Sequence, residues 1–221
     1  GERNYHPGKS AGGTTDYGDY NILVLEHLAA TSNPLRTFSV QDLIPHWMNR
    51  LENGWGSWIC TRTKETYSQI KHGTKIENLG GISNAMAIRH VAAHGYYENE
   101  DELVDVARKA MFTHKDFSAL GGGEFFARVT HRVLRGVSPR DAIEEVAVLM
   151  GGFFEDKTKQ AIAKYEEESN PDSQLSKEQF SDDLALTSMA RLWDIGRSEP
   201  IKVGKASPTE GTLPGSIYFI L

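Results

Sequence analysis

Apolar residues recur at helical spacing along most of this chain. From Asp101 to Met111, the residues Leu103, Val106, Ala107, Ala110 and Met111 share one face, and the acids at the start suit the positive end of a helix dipole. A second stripe follows Gly123 and Glu124 and is made of Phe125, Phe126, Val129, Val133 and Leu134, with Gly136 as its stop signal. Ser138-Pro139-Arg140-Asp141 then places a hydroxyl at the N-cap, a proline at N1 and an acid at N3. Ile143, Val146, Ala147 and Met150 follow on one face. Comparable stripes cover 20–30, about 39–52, 62–72, 84–94, 156–167 and 177–193, and Pro45 is expected to kink or split the second of these. No run of period-two alternation stands out, nor any repeat period, which predicts an all-α domain with almost no sheet. The helices over 84–94, 101–111 and 123–135 should pack through their stripes, burying Ile88, Val106, Phe125 and Phe126. The stretch 165–178, with Glu166, Glu167, Glu168, Asn170 and Pro171, reads as a connector. The stretch 198–215, punctuated by Pro200, Pro208, Gly211, Pro214 and Gly215, reads as irregular.

Composition narrows the class. A chain of 221 residues fits one domain, and 39% hydrophobic with 24% charged residues is enough for a core under an ordinary surface. The net charge of -6, with no basic run, argues against a nucleic-acid partner. Cys60 is the only cysteine, which excludes an intramolecular disulfide and a cysteine-rich zinc site and fits a reducing compartment. No apolar run reaches the ~20 residues of a membrane-spanning helix. The longest candidate, Ile22 to Leu25, is broken by Glu26 and His27. Residues 1–18 are polar and carry no signal-peptide pattern, so the expected location is cytoplasmic. The chain starts at Gly1 and stops inside the apolar run Ile217-Tyr218-Phe219-Ile220-Leu221. The expectation is therefore a single domain over 1–221, incomplete at both ends.

Candidate chemistry comes from short clusters. His90 and His94 have the four-residue spacing of metal ligands on a helix, but Val91 stands where a metalloprotease carries glutamate, which favours structural histidines. Asp182-Asp183 reads as solvated surface acids. Leu79-Gly80-Gly81-Ile82-Ser83-Asn84 precedes a predicted helix, so its backbone amides are placed to cradle a phosphate. The same double glycine also serves as a plain entry turn. Phe112-Thr113-His114 ends one predicted helix, and Leu120-Gly121-Gly122-Gly123 opens the next.

Taken in order, these segments resemble the ADP-ribosylglycohydrolase family, which includes hydrolases that remove ADP-ribose from dinitrogenase reductase and from arginine, and the J1-type lens crystallins. The resemblance rests on Tyr17-Gly18-Asp19-Tyr20-Asn21 before Ile22-Leu23-Val24-Leu25, and on Gly80-Gly81-Ile82-Ser83-Asn84-Ala85-Met86 with Arg89. It rests further on Phe112-Thr113-His114 and on Thr209-Glu210-Gly211-Thr212-Leu213-Pro214-Gly215 before an apolar helix. It implies a compact all-α bundle with two divalent cations, magnesium or manganese, at the base of a cleft holding ADP-ribose. It implies substrate-binding roles for Gly80, Gly81, Ser83, Asn84 and His114, with an ADP-ribosylated protein or a small ADP-ribose-containing ligand as partner. For Asn84 and His114 the alternative is structural, as a helix cap and as the close of the preceding helix.

The chain also departs from the family pattern. The first metal motif, Thr-Asp-Asp, is matched by Gly18, Asp19 and Tyr20, leaving Asp19 as the one inherited metal ligand, with Asp16 the nearest substitute. The late aspartate-rich motif and the N-terminal helix with a catalytic glutamate have no counterpart here, so the catalytic residue is unassigned. Two functions follow from the resemblance. One is metal-dependent hydrolysis of the bond between ADP-ribose and its acceptor; the other is an inactive relative that binds ADP-ribose or serves structurally.

Overall fold

The computed structural model describes residues 8–30, 38–80, 88–169 and 209–221, and among them there are helices and no strand. The helices are α1 (Asp16–Ala30), α2 (Val40–Asn53), α3 (Thr61–Lys71), α4 (Glu100–Ala110), α5 (Phe117–Val133), α6 (Pro139–Met150), α7 (Gly152–Ser169) and α8 (Thr209–Ile220). Short 3-10 turns lie at Ile76–Asn78 and Val91–Gly95. The expected all-α class is what forms. The chain divides into two compact units, one ending at Asp116 and built on α1 to α4, the other beginning at Phe117 and built on α5 to α8.

In the first unit α1 packs on α2 and on the 91–95 turn, which α4 also touches. Trp47 is fully buried at its centre, with its ring edge-on to Phe112 at 5.0 Å. Leu23, Val24, Leu43, Leu103 and Val106 complete this core, each worth roughly 1.5–3 kcal/mol of burial. Helix α4 starts where Asn99 accepts from the backbone of Asp101 and Glu102, and its stripe lies inward as the spacing predicts. Pro45 does not split α2. It sits on the exposed face, where a missing backbone donor is tolerated more easily than in the core.

In the second unit α5 packs on α6, α6 on α7, and α7 on α8. Ser138 caps α6 as expected, its hydroxyl accepting from the Asp141 amide at 3.1 Å. Gly151 and Gly152, both at positive φ (62° and 48°), let the chain turn at once from α6 into α7, a conformation that side chains with a Cβ rarely adopt. Phe125, Phe126 and Val106 are buried as predicted, whereas Ile88 is only half-buried.

Other expectations need correction. The segment 88–95 is not a continuous α-helix. Asn21 donates to the Ile88 carbonyl and accepts from the Val91 amide, so these backbone groups bond to α1 instead of to a helical ladder. The glycines 121–123 do not open α5; they lie buried within it, because the helix begins at Phe117. Thr209 to Gly215 is helix and not loop: Gly211, Pro214 and Gly215 lie buried within α8, which packs on α7. The buried face of α3 is made of Thr63 and Thr66. The predicted 177–193 helix, Asp182-Asp183 and the connector beyond Ser169 lie outside the described residues.

Candidate functional site

The site lies in the first unit and starts on α1. Asp19 ends the first turn of that helix and is buried, and three donors converge on its carboxylate. The Thr14 hydroxyl donates to Oδ1, the Ser57 hydroxyl donates to Oδ2, and the Lys9 ammonium lies 3.5 Å from Oδ2. Burial alone would push this carboxyl up, but the hydrogen bonds from Ser57 and Thr14 and the Lys9 charge outweigh it and hold it below its ordinary value. Among the described residues no group of three or more His, Cys, Asp or Glu stands together in a way that could hold a metal ion.

The next residue, Tyr20, belongs to a different network. Its hydroxyl is shared with Thr63 Oγ1 at 3.0 Å and accepts from Trp47 Nε1 at 3.2 Å. Thr63 Oγ1 lies 3.3 Å from Cys60 Sγ, which lies 3.8 Å from His114 Nε2. His114 Nδ1 is 2.7 Å from Thr113 Oγ1, and that hydroxyl accepts from Arg89 Nη2 at 2.8 Å. Arg89 also donates through Nη1 to the Ala110 carbonyl at 3.0 Å and places its guanidinium over the Tyr20 ring. A closed circuit of side chains thus joins α1, α3, the segment before the 91–95 turn and the turn after α4.

Arg89 is 3% exposed, and among the described residues no carboxylate forms an ion pair with it. Burial weakens its hold on its proton, partly offset by Tyr20, Cys60, Tyr17 and Asp16. His114 is buried too. Burial, then the charges of Arg89 and Arg62, push its pKa down to about 3, so the ring is neutral at pH 7 and both its nitrogens face protein partners.

Gly80 is brought to this turn. Its φ is +78°, its amide donates to Gln69 Oε1 at 3.0 Å, and a Cβ built on it would lie 2.6 Å from the Phe112 carbonyl oxygen. Lys115 locks the same junction by donating to the carbonyls of Ile76 and Glu77. Two motifs more than thirty residues apart in sequence, at Gly80 and at Phe112–Thr113–His114, are therefore in direct contact. Asp19 stands with Lys9, Thr14 and Ser57 instead, reached from the His114 circuit through its neighbour Tyr20. Gly81, Ser83 and Asn84 lie outside the described residues.

His90 and His94 face each other, Nδ1 to Nε2 at 3.1 Å. Burial, then the His94 charge, pushes His90 down to about 3. The sequence offers no reason to place Lys9, Thr14, Ser57, Cys60 or Thr63 in a site. The apolar stripe expected over 62–72 does not form: the residues that α3 turns inward are Thr63 and Thr66, which no apolar periodicity points to. A groove of about 370 Å³ in the second unit is lined by Ala147, Val148, Ile162 and Glu155 among others, and none of the described site candidates, Asp19, Gly80 and His114, borders it.

A family model described as ADP-ribosylglycohydrolase matches residues 1–201. No curated protein and no solved structure matches the chain.

Proposed function

Because the chain belongs to the ADP-ribosylglycohydrolase family, we propose that it recognises ADP-ribose, carried by a modified protein or by a small ligand, at the turn formed by Gly80 and the Phe112–His114 segment. The observation that carries this reading is the close approach of the Gly80 backbone to the Phe112 carbonyl. It joins the family's glycine- and asparagine-containing segment to its threonine-histidine pair. Amides beyond Gly80 would then meet the diphosphate, as backbone donors commonly do. His114, neutral and hydrogen-bonded at both nitrogens, orients the turn and is not a cation for phosphate.

The family resemblance also implies magnesium or manganese and hydrolysis of the glycosidic bond. The donors around Asp19 do not fit those cations. Its oxygens are engaged by Lys9, Thr14 and Ser57, and Tyr20 holds the place of a second carboxylate while its hydroxyl is committed to Thr63 and Trp47. Of the two readings, hydrolase and binding relative, that environment favours the binding relative. No helix among the described residues is long and apolar enough to cross a membrane, and a cytoplasmic location is part of the proposal.

Thermal shift with ADP-ribose tests the reading. The wild type should melt higher with millimolar ADP-ribose, and Asn84→Ala should lose that shift while keeping its own melting temperature. No shift in the wild type, with or without magnesium, removes ADP-ribose binding. Release of ADP-ribose from an arginine-modified protein in the presence of manganese selects the hydrolase instead.

A further inference from the structure

A divalent cation of this family needs several oxygens that are free to donate lone pairs. At Asp19 the situation is inverted, because what surrounds the carboxylate is a set of donors. Lys9 runs across the backbone of Gly56, where a Cβ would lie 3.7 Å from its Nζ, and ends 3.5 Å from Asp19 Oδ2. Thr14 and Ser57 add a hydroxyl to each carboxylate oxygen. The ammonium is partly buried (side-chain exposure 25%) and the carboxylate more so (12%), so the pair is less screened than a surface one.

We propose that Lys9 supplies from within the chain the positive charge that a metal ion supplies in the family, closing the Asp19 site and stapling the 9–14 segment and the Gly56–Ser57 loop to α1. The inference rests on family membership and not on ADP-ribose recognition. A single ammonium balances one carboxylate, which is what Gly18-Asp19-Tyr20 leaves of the motif. It needs no second aspartate, and the hydroxyls of Thr14 and Ser57 take one further lone-pair direction on each carboxylate oxygen. A divalent ion at the same place would have to displace Lys9 and would gain one carboxylate in return.

The test uses the full chain and no nucleotide. Calorimetric titration with manganese should show no saturable binding up to millimolar concentration. Lys9→Met and Asp19→Asn should each lower the melting temperature by about 2–4 °C, as expected for a partly buried pair in a chain of this size. Lys9→Met should add little in the Asp19→Asn background. Lys9→Arg, which keeps the cation, should melt close to the wild type and guards against a general loss of folding. Saturable manganese binding that Asp19→Asn abolishes, or fully additive effects of the two substitutions, would overturn the proposal.

Discussion

The guanidinium carbon of Arg89 lies 3.6 Å from the centroid of the Tyr20 ring. This contact joins two of the motifs by which the chain resembles its family at their least obvious positions, since Arg89 is the last residue of one and Tyr20 is a departure in the other. The ring face offers a buried cation a partial negative charge where, among the described residues, no carboxylate forms an ion pair with it, and the Tyr20 hydroxyl is held by Thr63 and Trp47 so that the face stays in place. The residue that spoils a metal motif thus becomes a seat for an arginine.

Arg89→Met tests that role. It leaves the Ala110 carbonyl and the Thr113 hydroxyl without their donor, each worth about 1–3 kcal/mol when buried, and it also removes a buried charge. The net expectation is a loss of about 2–4 kcal/mol in urea unfolding. Thr113→Ala combined with Arg89→Met should cost at least about 1 kcal/mol less than the sum, because both break one bond. Strict additivity would show that the pair does not act together.

Much of this fold is legible in the sequence. The stripes of α4 and α6 are clean, and the Ser138-Pro139 start of α6 follows from capping chemistry alone. What the pattern misreads are places where tertiary contacts override it. Asn21 draws the backbone of 88–91 away from a helical ladder, and the glycines of α5 and α8 are helical because packing outweighs their low propensity. The candidate site is less legible than the fold. Gly80, His114 and Asp19 stand in recognisable order, but the partners of Asp19 come from residues five, ten and thirty-eight positions away, which no local spacing announces.

Stability should fall in acid, with histidines as part of the cause. In the folded chain His90 and His114 stay neutral until about pH 3, whereas unfolded histidines take up a proton near 6.5. Between those values the unfolded state binds more protons, so their contribution is flat above about pH 7 and declines as pH drops from 6.5 toward 3. Each histidine adds a slope on the order of 1 kcal/mol per pH unit in that window. Proton NMR should find the His114 ring untitrated at pH 5, and His114→Asn should flatten the stability profile. A His114 resonance titrating near 6.5 would contradict its burial beside Arg89.

Ser138→Ala removes the hydroxyl that accepts from the Asp141 amide and donates to its carboxylate at 2.6 Å. A cap of this kind is worth about 0.5–2 kcal/mol. Ser138→Thr should recover most of the loss, since its hydroxyl can again accept from the Asp141 amide and donate to the Asp141 carboxylate. If Ser138→Ala unfolds at the same urea concentration as the wild type, α6 does not depend on its cap.

Gly121→Ala is the sharpest test of the second unit. On an exposed helix this exchange stabilises by about 1 kcal/mol, because alanine forms helix better than glycine. Here the added Cβ would lie 2.2 Å from Phe154 Cζ and 2.7 Å from Cε2. Phe154 cannot swing away freely: it is buried, stacked on Phe125 at 6.2 Å, tilted against Phe117 and edge-on to Phe153 at 5.1 Å. Overpacking of a filled core costs about 1–3 kcal/mol, so the clash outweighs the gain in propensity and the variant should be less stable by about 1–2 kcal/mol. Phe154→Leu removes the atoms that collide. By itself it should destabilise the chain through the cavity it leaves, but in the Gly121→Ala background the new methyl fills part of that cavity. The double variant should therefore be more stable than the two single losses added together. If Gly121→Ala proves stabilising, α5 does not press against the Phe154 ring, and the glycines within it owe their presence to something other than packing.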